Sequence, residues 1–157
     1  MAIRDNLKIA INNKNEDFFR DCGFFKGYGH SDDLKLLVSP YSNNGAKYAS
    51  HSNALKPKGK VKITWQLELS IGSPYSASTI DFGVGIGEDQ SSLLSNKSHT
   101  ETINPYVSGG STTNSYSHTY DLSDLSSGCF VVLYMNPSGL FNTSDACTVR
   151  ITDISFE

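Results

Sequence analysis

Residues 60–70 read KVKITWQLELS and alternate without a break. Val61, Ile63, Trp65, Leu67 and Leu69 are apolar, while Lys60, Lys62, Thr64, Gln66, Glu68 and Ser70 are polar. Side chains of a strand point to its two faces in turn. A run of this length therefore predicts a strand with one face on a core and the other on solvent. Trp65 shares the phase of Ile63 and Leu67, so it is expected inside. The strand ends at the turn signal Ile71-Gly72-Ser73-Pro74.

A second alternation follows in TIDFGVGIGED. Ile80, Phe82, Val84 and Ile86 share one phase, and Thr79, Asp81, Gly83, Gly85 and Gly87 share the other. Glycine weakens a strand interior, so a glycine stripe there clears space either for a ligand or for a bulky neighbour. It is not a phosphate loop, because no helix follows.

The other elements carry the same signature less cleanly. DLKLLVSPY (33–41) and AKYASHSNAL (46–55) read as strands, and residues 18–25 read as the first core strand. NLKIAINN fits a strand by Leu7, Ile9 and Ile11, or a short helix by Ile3, Leu7, Ala10 and Ile11. Residues 1–14 are expected as an N-terminal helix or irregular arm. Residues 91–117 are polar and suit long surface loops, with a weak strand near His99 to Val107. SYSHTYD follows as a strand. CFVVLYMN (129–136) is apolar on both faces and predicts a central buried strand. CTVRITDISFE alternates through Val149 and Ile151, then shifts phase to Ile154 and Phe156, which places a bulge near Thr152-Asp153.

About eight strands separated by polar loops predict an all-β chain, an antiparallel β-sandwich of the jelly-roll kind. The 157 residues fit one domain, 1–157. Composition agrees, since 23 Ser, 12 Asn and 10 Thr carry the polarity where only 18% of residues are charged. Ser and Asn favour turns, and Thr favours strands.

Charge and motifs narrow the function classes. A net charge of -3 argues against a broad nucleic-acid footprint. No apolar run approaches the roughly 20 residues of a membrane span, and the N-terminus has no signal-peptide pattern. Residues 1–62 carry 11 Lys/Arg against 6 Asp/Glu, and residues 63–157 carry 2 against 10, so +5 and -8 sum to -3. Pairing between the halves accounts for this split as readily as a polarised binding face does. Cys22, Cys129 and Cys147 form no CxxC and leave an odd thiol; Cys129 and Cys147 are expected as buried hydrophobes. His30, His51, His99 and His118 show no metal-ligand spacing. There is no GxSxG elbow. Glu68 and Asp81 are the one candidate carboxylate pair for glycoside hydrolysis, if they face the same side; the chain is expected not to be an enzyme.

Tyr120-Asp121-Leu122-Ser123, then Leu125, Gly128 and CFVVLYMN, resembles the penultimate segment of jelly-roll carbohydrate-binding modules. Val149 to Phe156 resembles their closing strand, and KVKITWQLELS is similar to a middle strand. The resemblance covers roughly residues 33–157. At the front, the modules' Asn-Gly-x-Phe-Glu opening stands here as Asn15-Glu16-Asp17-Phe18-Phe19. It implies a non-catalytic carbohydrate-binding or adhesion module for a glycan or cell-surface polysaccharide. Such domains also occur in phage tail and adhesion proteins. The alternative is therefore a structural virion protein, oligomerising or docking through its N-terminal arm, with a virion or extracellular location. The resemblance further implies a structural Ca²⁺ shared by Glu16 or Asp17 and Asp153, hard oxygen donors that suit this ion.

Strand phase places the expected ligand site. Lys62, Thr64, Gln66 and Glu68 lie on one polar face, and Asp81, Gly83 and Gly85 on another. If the two strands share a sheet, they form a shallow groove with a glycine floor. Tyr106 and Tyr116, in polar loops like Tyr41 and Tyr75, are the candidate rings for stacking on sugar.

Overall fold

The computed structural model describes residues 35–41, 45–50, 59–72, 75–108, 111–126 and 128–156. Eight strands fall in this range: β1 (Lys35–Val38), β2 (Lys47–Ser50), β3 (Lys60–Ser70), β4 (Thr79–Gly87), β5 (Ser98–Ile103), β6 (Ser111–Asp121), β7 (Phe130–Ser138) and β8 (Ala146–Phe156). One helical turn, α1 (Pro105–Ser108), joins β5 to β6. The strands form two four-stranded antiparallel sheets, in the orders β1-β8-β3-β6 and β2-β7-β4-β5. Packed face to face, they make a β-sandwich. The arm at 1–14, the strand expected at 18–25 and Cys22 lie outside the described residues.

The alternating phases explain the packing. Val61, Ile63, Trp65, Leu67 and Leu69 of β3 are buried, as are Ile80, Phe82, Val84 and Ile86 of β4. They belong to different sheets, so the two apolar rows meet in the core, with the Trp65 and Phe82 rings edge to face at 6.0 Å. β7 is an interior strand, and its Val131, Leu133 and Met135 complete the same layer. Cys129 and Cys147 are buried free thiols, and burial pushes them up to about 11 and about 12, well away from thiolate reactivity. The β3–β8 register shifts between Thr64 and Trp65, leaving Thr152 unpaired as the bulge residue. Its hydroxyl donates to the Thr64 carbonyl at 3.2 Å.

The interior placement of β3 and β4 corrects one expectation. They lie in different sheets, so the polar face of Lys62, Thr64, Gln66 and Glu68 and the face of Asp81 look out on opposite sides of the sandwich. No groove joins them. Glu68 and Asp81 have the core between them and cannot flank one glycosidic bond.

Two buried polar side chains hold the loops. Lys97, 6% exposed, closes the β4–β5 loop. Its ammonium donates to the Asp121 carbonyl at 2.7 Å and pairs with Asp124 at 2.8 Å. Asp145, also buried, accepts from the Gly72 and Asn142 backbone amides, which joins the β3–β4 and β7–β8 loops.

Candidate functional site: a groove on the outer face of one sheet and a polar cluster behind it

The outer face of the β2-β7-β4-β5 sheet is built in rungs. In one rung Tyr48 pairs with Tyr134, Tyr134 with Gly83, and Gly83 with Thr100. In the next, Asn136 pairs with Asp81 and Asp81 with Thr102; on the other side Val132 pairs with Gly85 and Gly85 with Ser98. Two tyrosines thus stand on one side of the glycine stripe and three hydroxyl residues on the other. The result is a groove of about 460 Å³ lined by these tyrosines, Asp81, Ser98, Thr100 and Thr102, with the β4–β5 loop and Glu101 at its rim. That volume lies within the roughly 300–1,000 Å³ of small-ligand clefts.

The glycines serve the neighbouring strand. A Cβ on Gly83 would meet the His99 carbonyl and come within 2.7 Å of Thr100 Cγ2, and one on Gly85 would meet Ser98 and the Lys97 carbonyl. Both positions are buried. The stripe lets β5 lie close against β4 and raises its Ser98, Thr100 and Thr102 as a wall. The expected uses of the stripe are space for a ligand or for a bulky neighbouring side chain; the packing shows instead the β5 backbone lying close against it.

Tyr48 and Tyr134 form a tilted pair, with ring centroids 5.2 Å apart and an interplanar angle of 41°. Tyr48 is 37% exposed. Across the groove Thr102 donates its hydroxyl to Asp81 Oδ1 at 2.6 Å, fixing one carboxylate oxygen.

Behind the β5 wall lies a second polar feature. β5 and β6 are the edge strands on the same side of the two sheets, and their inward phases are not apolar. His99 and Glu101 point in from β5, and Asn114, Tyr116 and His118 from β6. The His99 and His118 rings stack across the gap at 3.9 Å and 18°. Tyr116 stacks on Trp65 at 4.3 Å and 19°. Glu101 bonds to His99 Nε2 at 3.0 Å, and its carboxylate lies close enough to the Tyr116 hydroxyl to influence its titration. Trp65 Nε1 and His118 Nε2 are buried without a hydrogen-bond partner among the described residues.

Each group's titration follows from these contacts. The His99 hydrogen bond holds Glu101 below its ordinary value of 4.5. Burial, then the Glu101 hydrogen bond, pushes Tyr116 up to about 12. Burial first, and the facing His99 second, holds His118 below its ordinary 6.5. The unfolded chain takes a proton at His118 below about 6.5, and the folded chain resists it. Stability is therefore complete above that pH and falls as pH drops from 6.5 toward the lowered folded value. Glu101 stabilises the fold above 4.5, and that share is lost as pH falls through its own lowered value. Urea midpoints taken from pH 8 to 2 should decline in both windows, and His118→Phe should abolish the first decline while keeping the second. A midpoint flat between pH 7.5 and 5.5 contradicts this.

The residues expected at the site are thus dispersed. Asp81 lines the groove. Lys62, Thr64, Gln66 and Glu68 lie on the far sheet, where Thr64 bonds Ser117, Gln66 bonds Ser115, and Glu68 pairs with Arg150 at 3.6 Å. Tyr106 is 61% exposed on α1. Tyr116 is no loop ring: it is half-buried in β6 and packs on the core. No sequence pattern marks Tyr48, and the one signal for Tyr134, its phase opposite to Leu133 and Met135, is hidden in a strand apolar on both faces.

Asp153 is exposed beside the bulge, and Glu16 and Asp17 lie outside the described residues. No group of three or more His, Cys, Asp or Glu among the described residues could hold a metal. One exposed carboxylate falls short of the six to eight oxygens that calcium takes, so the described residues do not fit the ion. No helix among them is long and apolar enough to cross a membrane.

No family model matches the sequence, and no curated protein matches it significantly.

Proposed function

We propose that the chain is a non-catalytic glycan-binding module whose site is the groove on the outer face of the β2-β7-β4-β5 sheet. The observation that carries this reading is the tilted Tyr48–Tyr134 pair set opposite a wall of hydroxyls. A pyranose ring presents a C–H face, which suits the negative face of an aromatic ring. Its hydroxyls find acceptors and donors in Asp81, Ser98, Thr100 and Thr102. An apolar ligand would leave those groups unpaired. The nested pairing β1 with β8, β2 with β7, β3 with β6 and β4 with β5 supports the finer jelly-roll reading of the sandwich.

An adhesion role, or attachment of a virion to surface sugars, would use the same groove. A purely structural virion role would not, and sedimentation velocity beside a glycan array separates the two: oligomers with no sugar bound favour the structural role. On such an array the wild type should give specific binding. Tyr48→Ala with Tyr134→Ala should lower the affinity at least about tenfold, as removal of central aromatic anchors does. Both rings are at least partly exposed on the outer face, so the melting temperature should move little. Undiminished binding in the double variant contradicts the groove as the site.

A further inference from the structure

We infer that the groove selects glycans bearing free amino groups and discriminates against acidic ones, an inference that rests on the groove being the glycan site. Among the described residues no Lys, Arg or His lines it, and the two charged members are both acids, Asp81 and Glu101. A carboxylate, sulfate or phosphate on a sugar would meet like charge there and find no cation among the described lining residues to pair with. Glu101 is spent on His99 and Tyr116 at the rim. Asp81 is not. Thr102 takes Oδ1, and Oδ2 accepts no hydrogen bond among the described residues, so a carboxylate that lines the groove keeps acceptor capacity.

Asp81 also stands one step along β4 from Gly83, the residue paired with Tyr134. An ammonium group beside Asp81 is therefore within reach of a tyrosine face as well. Carboxylate and ring face attract a cation by separate means, one by charge and hydrogen bonding and the other by the ring quadrupole. The hydroxyl wall of β5 accommodates the rest of the sugar. The ligand this chemistry fits is a hydroxyl-rich chain with unacetylated amines, such as a de-N-acetylated hexosamine polymer. N-acetylation removes the charge and leaves an amide with a single N–H to offer Asp81, without the charge attraction an ammonium adds.

The test is calorimetric titration of the full chain with four oligomers of equal length, at low salt and a pH where the amine is protonated. The four are a glucosamine oligomer, its N-acetylated counterpart, a neutral glucose oligomer and a glucuronate-containing one. The glucosamine oligomer should bind about tenfold tighter than its acetylated counterpart, with the advantage shrinking as salt is raised, and the glucuronate oligomer weakest. Asp81→Asn, which keeps an acceptor for Thr102, should bring the glucosamine and acetylated oligomers within about twofold of each other, read as the ratio of the two affinities in the same variant. Equal or tighter binding of acetylated or acidic oligomers overturns the inference. So does a preference that survives Asp81→Asn. In both cases binding of the neutral oligomer leaves the groove standing as the site, whereas failure of all four to bind removes site and selectivity together.

Discussion

Replacing Trp65 with alanine is expected to cost about 3–5 kcal/mol, the range for emptying a large aromatic from a packed core. Trp65 is 0% exposed. Its indole touches Phe82 from the facing sheet and carries the stacked Tyr116, so it joins the apolar core to the polar edge. The loss takes a large part of the roughly 5–15 kcal/mol that holds an ordinary domain folded. Trp65→Phe should cost less, because a ring remains against Phe82. Equilibrium urea unfolding measures both. A cost near that of a surface substitution, within about 0.5 kcal/mol for the alanine variant, would show that the ring is not where the sheets meet.

The second large effect is at Gly83. Valine there puts branched carbon against Thr100 and the β5 backbone, with the first added carbon already 2.7 Å from Thr100 Cγ2. A backbone neighbour cannot rotate away as a side-chain tip can, so β5 must shift outward. Overpacking of this kind costs about 1–3 kcal/mol. Function should suffer more than stability does. β5 supplies the hydroxyl wall, and its displacement separates Thr100 and Thr102 from the tyrosines. Reduced melting temperature with glycan binding abolished is the expected pair of results. A Gly83→Val protein that melts and binds like the wild type would mean that β5 does not lie against β4 as described.

How far the sequence reveals the fold depends on burial. β3, β4, β7 and β8 are interior strands whose inward residues are apolar, so their alternation or continuous apolarity is plain, down to the bulge at Thr152. β6 is different. Residues 111–114 read as loop and only SYSHTYD (115–121) as a strand, yet together they form one eleven-residue strand. Its inward phase, Thr112, Asn114, Tyr116 and His118, is as polar as its outward phase, because an edge strand closes the sandwich beside solvent instead of filling its core. Period-two reasoning has nothing to detect there. The same cause hides the His99–His118 stack, which pairs residues from two sheets that no local spacing connects.

The site was legible in its parts and not in its assembly. Alternation put Asp81 and the glycine stripe on an outward face, and that is where they are. Strand phase says nothing about which strands share a sheet. Phase alone therefore groups Lys62, Thr64, Gln66 and Glu68 with Asp81, although β3 and β4 lie in different sheets of the sandwich. Tyr48 and Tyr134 meet only through the β2–β7 pairing, a contact between segments far apart in the chain.

Mapping the bound ligand by nuclear magnetic resonance tests the central claim most directly. The tightest-binding oligosaccharide of the array is titrated into isotope-labelled protein, with amide and tyrosine-ring shifts followed together. Changes concentrated at Tyr48, Asp81, Ser98, Thr100, Thr102 and Tyr134, with the Lys62–Glu68 face undisturbed, are the predicted result. Changes centred on Lys62, Thr64, Gln66 and Glu68, or no specific shifts with any glycan, would contradict it.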